Sequence, residues 1–250
     1  MYTGSGSKIG RCQGGSPGFL GHPRDSASGT DRRGTQKKWV KPTPAEPIFE
    51  SRAVYLIVGL GNPGKEYRGT RHNIGFAALE KLAAKYNLEF RKKTAFQGSL
   101  SEGQIGQAPV ILLMPLTYMN ESGSSVRLVA DYRQVELSHI MIVTDDVDLP
   151  LGQLRVRINS SAGGHNGLKS VEAHLQTDRY ARLRIGVGDR REGDLVSHVL
   201  GPFSSEEEKL IPDVLERVVR ALEIWLEKGI TSAMDYANRK PSTPSIGEDA

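Results

Sequence analysis

The chain has 250 residues, enough for one large domain or two small ones, and its 25% charged and 38% hydrophobic residues are those of an ordinary soluble globular protein. No apolar run approaches the roughly 18 residues of a membrane span, so a membrane partner is not expected. The net charge of +4 resides in residues 1–50, which carry eight Lys/Arg against four Asp/Glu; the remaining 200 residues hold 25 of each sign, so an anionic partner of the main domain must meet a local basic patch.

Residues 1–50 are rich in Gly, Ser, Pro and basic side chains and lack apolar periodicity, so a disordered extension is expected there. They hold the single cysteine, Cys12, which leaves the main domain without disulfides or thiol chemistry and fits a reducing compartment. No apolar stretch follows the charges, so a secretory signal is not expected. A cytoplasmic protein is the expectation. An organellar transit peptide, which would place it in a plastid or mitochondrion, is the alternative, and a misassigned start codon is a third reading. Residues 240–250 read as a flexible tail.

Between these, residues 54–239 alternate strands and helices. Val54–Gly59 is a buried strand, Ile74–Tyr86 has helical periodicity, and Val110–Met114 is a second buried strand. Glu121–Tyr132 reads as a helix and Ile140–Thr144 as a third buried strand. Gln153–Ile158 alternates Leu154, Val156 and Ile158 with Gln153, Arg155 and Arg157, as a half-exposed strand does. Gly167–Leu175 is a short helix and Leu183–Val187 a further strand. Ser204 and Glu207 form a capping-box pattern ahead of an amphipathic helix running to about Lys228, which Pro212 should kink or restart. Gly229 then ends it, and Ile230–Tyr236 forms a last short helix. The expected fold class is α/β: a single domain with a twisted mixed, partly parallel sheet flanked by helices.

Several strings invite familiar chemistry and fail on context. Gly59-Leu-Gly61-Asn-Pro-Gly64 follows a strand and matches a dinucleotide-binding fingerprint, but no helix opens at the third glycine. With Lys65 it approaches a P-loop, but Glu66 stands where a Ser or Thr should hold magnesium. Gly14-Gly-Ser16-Pro-Gly18 matches a hydrolase elbow without the strand that elbow needs. No His-Glu-x-x-His or Cys/His cluster is present, and Asp145, Asp146 and Asp148 lack calcium-loop spacing, so neither metal nor cofactor is expected.

What remains is a set of carboxamides and imidazoles after successive strands: Asn62 and His72-Asn73, then Tyr118-Met119-Asn120, then Asp145, then Gly163-Gly-His165-Asn166-Gly167. Singly, Asn120 reads as a helix cap and Asn166 as a turn residue. Together they point to a shared site at the strand ends.

The run Leu56-Ile-Val-Gly-Leu-Gly-Asn-Pro-Gly-Lys-Glu-Tyr-Arg-Gly-Thr-Arg-His72-Asn-Ile-Gly-Phe76 resembles the opening signature of the bacterial-type peptidyl-tRNA hydrolase family. Thr117-Tyr-Met-Asn120, Asp145-Asp-Val-Asp-Leu-Pro150 and Gly163-Gly-His-Asn-Gly-Leu168 resemble its other motifs in the same order. The resemblance spans roughly Val54 to Arg239. It implies hydrolysis of the ester joining peptide to tRNA, which recycles tRNA from stalled translation, by a monomer needing no metal. It assigns catalysis to His72 as general base, Asp145 as its partner and Asn120. It assigns substrate contacts to Asn62, Tyr67, Tyr118, Asn120 and Asn166, and tRNA contacts to Arg155, Arg157 and Arg184, with Arg190-Arg191 as further basic candidates. Where the family carries a lysine after Gly188, this chain reads Asp189-Arg-Arg-Glu-Gly. The alternative is a non-catalytic RNA-binding relative acting in organellar intron splicing; the intact Thr117–Asn120 motif, His72 and Asp145 favour the enzyme.

Overall fold

The computed structural model describes residues 53–188 and 194–239. The expectations for residues 1–50, for Arg190-Arg191 and for the tail 240–250 lie outside the described residues.

In chain order the elements are β1 (Tyr55–Gly59), α1 (Ile74–Lys85), β2 (Arg91–Lys93), β3 (Gly98–Ile105), β4 (Ala108–Pro115), α2 (Ser122–Arg133), β5 (Ile140–Asp146), β6 (Leu154–Asn159), α3 (Asn166–Leu175), β7 (Arg179–Gly186), α4 (Leu195–Leu200), α5 (Ser205–Glu208), α6 (Ile211–Lys228) and α7 (Ile230–Ala237). The strands form one sheet ordered β2-β3-β4-β1-β5-β7-β6. Its centre, β4-β1-β5-β7, is parallel. The outer strands pair antiparallel. This is the mixed, partly parallel sheet expected from the sequence.

Both faces are covered. Leu56, Val58, Ile111, Leu113 and Ile142 pack with Val126, Val129, Leu168 and Val171 of α2 and α3. Ile57, Leu112, Met141 and Val143 pack with Leu79, Leu82, Val218 and Leu222 of α1 and α6. Burial on both sides is why the central strands read as unbroken apolar runs. Each such side chain contributes about 1.5–3 kcal/mol of burial energy.

The structure departs from expectation at several points. Strands β2 and β3 and helix α4 were not anticipated. Pro212 restarts rather than kinks: α5, opened by the Ser204/Glu207 capping box, ends at Glu208, and Pro212 sits in the first turn of α6. No intrahelical partner awaits an N–H there, so proline costs nothing. Ile158 is exposed, because an irregularity between Arg157 and Asn159 breaks the alternation of β6.

The glycine-rich loop has a packing explanation. A Cβ on Gly59 would lie 2.3 Å from the Gly75 carbonyl oxygen, and one on Gly75 would lie 2.5 Å from Leu60 O and 2.6 Å from Val143 O. The two glycines let the start of α1 press onto the end of β1 backbone to backbone. After Gly64 comes only a short 3₁₀ turn, Lys65–Tyr67, with no helix facing a phosphate. Strand β1 leads to α1 on one face and β4 to α2 on the other. The two strands are neighbours, so their carboxyl ends flank the crevice where ligands of such sheets bind.

Candidate active site

Three chain segments meet at this crevice through a buried set of hydrogen bonds. The Asn73 side chain accepts from the Asn62 backbone N–H at 2.9 Å and donates to the Asn62 carbonyl at 2.9 Å. The Asn62 Oδ1 accepts from the Met119 N–H at 2.8 Å. The loop after β1, the 3₁₀ turn Arg71–Asn73 and the turn after β4 are thereby fixed to one another. His72 occupies the middle of that 3₁₀ turn and is held beside β5.

Asp145, near the end of β5, is the hub. Its side chain is 2% exposed. His72 Nδ1 lies 2.9 Å from one carboxylate oxygen and 3.0 Å from the other. His165 Nε2 approaches the first of these oxygens at 3.0 Å, with its ring 4.9 Å from that of His72, and Thr144 Oγ1 lies 2.7 Å from the same nitrogen. Burial alone would push the Asp145 carboxyl up; the facing imidazoles, His165 first and His72 second, outweigh it and hold the carboxyl well below the usual carboxylate range. Asp145 is therefore an acceptor for both rings.

The backbone sets the proton on His165. Its Nδ1 accepts from the Gly167 and Leu168 N–H groups at 3.1 and 3.2 Å, which makes this imidazole the N-cap of α3. A nitrogen facing two donors carries no proton, so Nε2 bears it and directs it toward Thr144 Oγ1 at 2.7 Å and Asp145 Oδ1 at 3.0 Å. For His72, pairing of Nδ1–H with Asp145 leaves the Nε2 lone pair free.

His72, Asp145 and His165 offer ligand atoms within 4.8 Å of one another, a spacing that invites a metal. The hydrogen bonding argues for another use. The His165 nitrogen on the carboxylate is protonated, and a metal ligand must be a bare lone pair. Asp146 is likewise engaged, accepting from the Asp148 N–H at 2.9 Å and from Arg184 at 3.2 Å.

These residues border a cleft of about 370 Å³. Of the residues expected from the sequence, Asn62, His72, Tyr118, Asn120, Asp145, Asn166 and Arg184 line it. Tyr118 is 62% exposed at its mouth. Tyr67, Arg155 and Arg157 do not line it. The plain cap reading of Asn120 also fails, since Glu121 precedes α2 and no side chain caps it.

The arginines divide. Arg155 lies directly across from Arg184 in the β6–β7 pairing, with Arg157 two residues farther along β6, opposite Arg182. Arg157 is exposed and Arg155 half-buried. Arg184, expected as a surface contact, is 11% exposed and tied to Asp146 and to the Ser161 carbonyl at 2.6 Å. It lines the cleft wall with its guanidinium held by that carboxylate and that carbonyl. Sequence reasoning also passed over His165, whose string was noted without a role, and the apolar wall of Leu195, Val196, Val199 and Leu200 from α4.

A family model described as peptidyl-tRNA hydrolase matches residues 56–245. The peptidyl-tRNA hydrolase of Clostridium novyi (strain NT) is 44% identical over 185 residues, covering 74% of this chain and 98% of its own. That of Prochlorococcus marinus (strain MIT 9303) is 50% identical over 189 residues, covering 73% and 92%. The crystal structure of peptidyl-tRNA hydrolase from Acinetobacter baumannii matches with a TM-score of 0.72 at 37% identity, over 76% of this chain and 97% of that one. The family match takes in every segment that borders the cleft, from the Asn62 loop to α4, and the chain belongs to the peptidyl-tRNA hydrolase family.

Proposed function

We propose that residues 54–239 form a catalytic domain that hydrolyses the ester between peptide and tRNA, with His72 as general base. The observation that carries this reading is the bidentate approach of His72 Nδ1 to the buried Asp145 carboxylate, which leaves Nε2 as the basic nitrogen. A water in the cleft gives its proton to Nε2 as its oxygen bonds to the ester carbonyl carbon. Asp145 stabilises the imidazolium that forms. As the tetrahedral intermediate collapses, the carbon–oxygen bond to the tRNA ribose breaks, and Nε2 returns the proton to the departing ribose oxygen. An activated ester needs no covalent nucleophile for this.

Asn120 would donate from its side-chain amide to the developing oxyanion, a role typically worth ~3 kcal/mol of barrier. Asn62 has its acceptor oxygen committed to Met119, so it offers only an N–H, suited to a carbonyl of the peptide. Asn166, in the first turn of α3, has no such commitment among the described residues and would accept from the peptide N–H. Tyr118 would contact the substrate at the mouth. Tyr67, outside the cleft, would act on substrate only beyond it. Arg155 and Arg157 extend outward from Arg184 and would meet tRNA phosphates, while Arg184 holds the wall.

The protein would work as a monomer without a metal in the cytoplasm; no helix among the described residues is long and apolar enough to cross a membrane. The splicing-factor alternative finds no support among the relatives. The decisive assay is peptide release from an N-blocked aminoacyl-tRNA: wild type releases it and His72→Ala does not. Equal release by the two proteins would defeat the assignment.

A further inference from the structure

Arg71 directly precedes the proposed base and does not line the cleft. Its side chain is 11% exposed. The guanidinium reaches a segment 130 residues away: Nη1 donates to the Gly201 carbonyl at 3.4 Å and to the Pro202 carbonyl, and Nη2 donates to Glu207 at 2.7 Å. It also lies 5.0 Å above the Phe203 ring. The backbones join at the same place, where Arg71 N–H donates to Gly201 O at 3.2 Å and Thr70 bridges to Pro202. The oxygen of Glu207 that receives Arg71 also accepts from the Ser204 N–H at 2.7 Å, closing the capping box of α5.

Gly201 immediately follows α4, the helix that supplies the apolar wall of the cleft. Arg71 therefore joins the turn carrying His72 to the end of that wall. A lysine would keep the charge but lose the planar fork that reaches two carbonyls and a carboxylate at once. The clamp has a cost, because the Arg71 Nε is buried without a hydrogen-bond partner among the described residues.

We propose that Arg71 is a positioning residue for the hydrolysis reaction: a strut that sets the separation between the His72 imidazole and the α4 wall. The proposal rests on His72 being the base. It acts on turnover more than on affinity, because Arg71 does not line the cleft. A displacement of about 1 Å at a catalytic group costs on the order of a hundredfold in rate.

The test compares Arg71→Lys and Arg71→Ala with wild type in two measurements. In steady-state hydrolysis of an N-blocked aminoacyl-tRNA, kcat should fall about tenfold for Arg71→Lys and about a hundredfold for Arg71→Ala, with KM within about threefold of wild type. In nitrogen-15 NMR, the Nδ1 proton of His72 should exchange faster in both variants while the amide spectrum stays that of the folded protein. Wild-type kcat in both variants would overturn the proposal, as would a loss of activity that merely follows the unfolded fraction. If wild type itself releases no peptide, the function assignment fails separately. The NMR measurement then decides the strut, and an unchanged His72 proton in Arg71→Ala would refute it.

Discussion

Replacing Asp145 with asparagine changes one atom's chemistry at the hub and leaves its shape. The carboxylate accepts from two rings, His72 at 2.9 Å and His165 at 3.0 Å. A carboxamide has one oxygen and one NH₂. His165 has no freedom, since its Nδ1 is bound to the Gly167 and Leu168 amides and its Nε2 must donate. Both rings meet the same oxygen, Oδ1, and only His72 also meets Oδ2, at 3.0 Å. The carboxamide oxygen therefore keeps the Oδ1 place facing His165, and the NH₂ takes the Oδ2 place against His72. That NH₂ opposes an Nδ1–H and favours the tautomer in which His72 carries its proton on Nε2, the nitrogen that should receive the water's proton. In triads where the same exchange traps the wrong tautomer, kcat falls about 10⁴-fold, roughly 5.5 kcal/mol of barrier. We expect a loss of 10³- to 10⁴-fold for Asp145→Asn (order of magnitude,), with KM for N-blocked aminoacyl-tRNA within a few-fold of wild type. Nitrogen-15 shifts of His72 should report the proton on Nε2. Activity within tenfold of wild type, with His72 still protonated on Nδ1, would refute the reasoning.

Three more outcomes follow from the same structure. Replacing Asn166 with alanine should raise activity on free aminoacyl-tRNA relative to the N-blocked form, because the site loses its acceptor for the peptide N–H; Asn62→Ala should instead slow both substrates, and an unchanged ratio in Asn166→Ala tells against this division of labour. Glu223 receives Lys85 at 2.7 Å, Tyr86 at 2.9 Å and Arg220 at 3.3 Å. Burial pushes its carboxyl up, but these partners, Lys85 foremost, pull it below its ordinary value. With the folded value below the unfolded one, the stabilisation is complete above about pH 4.3 and is lost as pH falls through the folded value. Urea unfolding should accordingly show wild type about 1–2 kcal/mol more stable than Glu223→Gln at pH 7, with the gap shrinking below pH 4; a gap that ignores pH contradicts this. Arg182, fully buried, lies over the Tyr180 ring at 4.0 Å and pairs with Glu172 at 2.8 Å. Arg182→Met should cost roughly 1–3 kcal/mol in chemical denaturation by unpairing the partly exposed Glu172 and the Asp178 and Tyr180 carbonyls, and a cost under about 1 kcal/mol would mean the pair adds nothing over a packed apolar side chain.

The parts of the fold legible in the sequence are those whose signal is local. The runs Val54–Gly59, Val110–Met114 and Ile140–Thr144 announce themselves because both faces of their strands are covered, so nearly every residue in them is apolar. Strand β3, Gly-Ser-Leu-Ser-Glu-Gly-Gln-Ile, carries two glycines and few apolar residues, and it is a strand because β4 lies beside it in register. Strand β2 is Arg-Lys-Lys, exposed throughout, and only its pairing with β3 defines it. The site divides in the same way. His72, Asn120 and Asp145 stood out as polar residues at strand ends. His165 stood in the same set but without a role, since its meaning depends on Asp145 and on two amides of its own helix. The surrounding glycines were the available signal: Gly163 and Gly164 adopt positive φ and turn the chain so that the imidazole faces β5. Arg184 shows the same limit. Register sets it across from Arg155, but nothing local in the sequence tells that Asp146 holds it.

The hydrogen bonds around Asp145 also bear on how the protein comes into being. His72 and Asp145 are 73 residues apart in sequence, and His165 lies 20 residues beyond. No amino-terminal fragment that stops short of β5 contains the pair, and none ending before His165 contains the ring that fixes the hub. A growing chain thus acquires its base early and the group that orients it much later, only after β5 has slotted in against β1. Hydrolytic competence would then switch on as a late, all-or-nothing property of the assembled sheet, and a partly made domain would be silent toward substrate while its first strands are already in place.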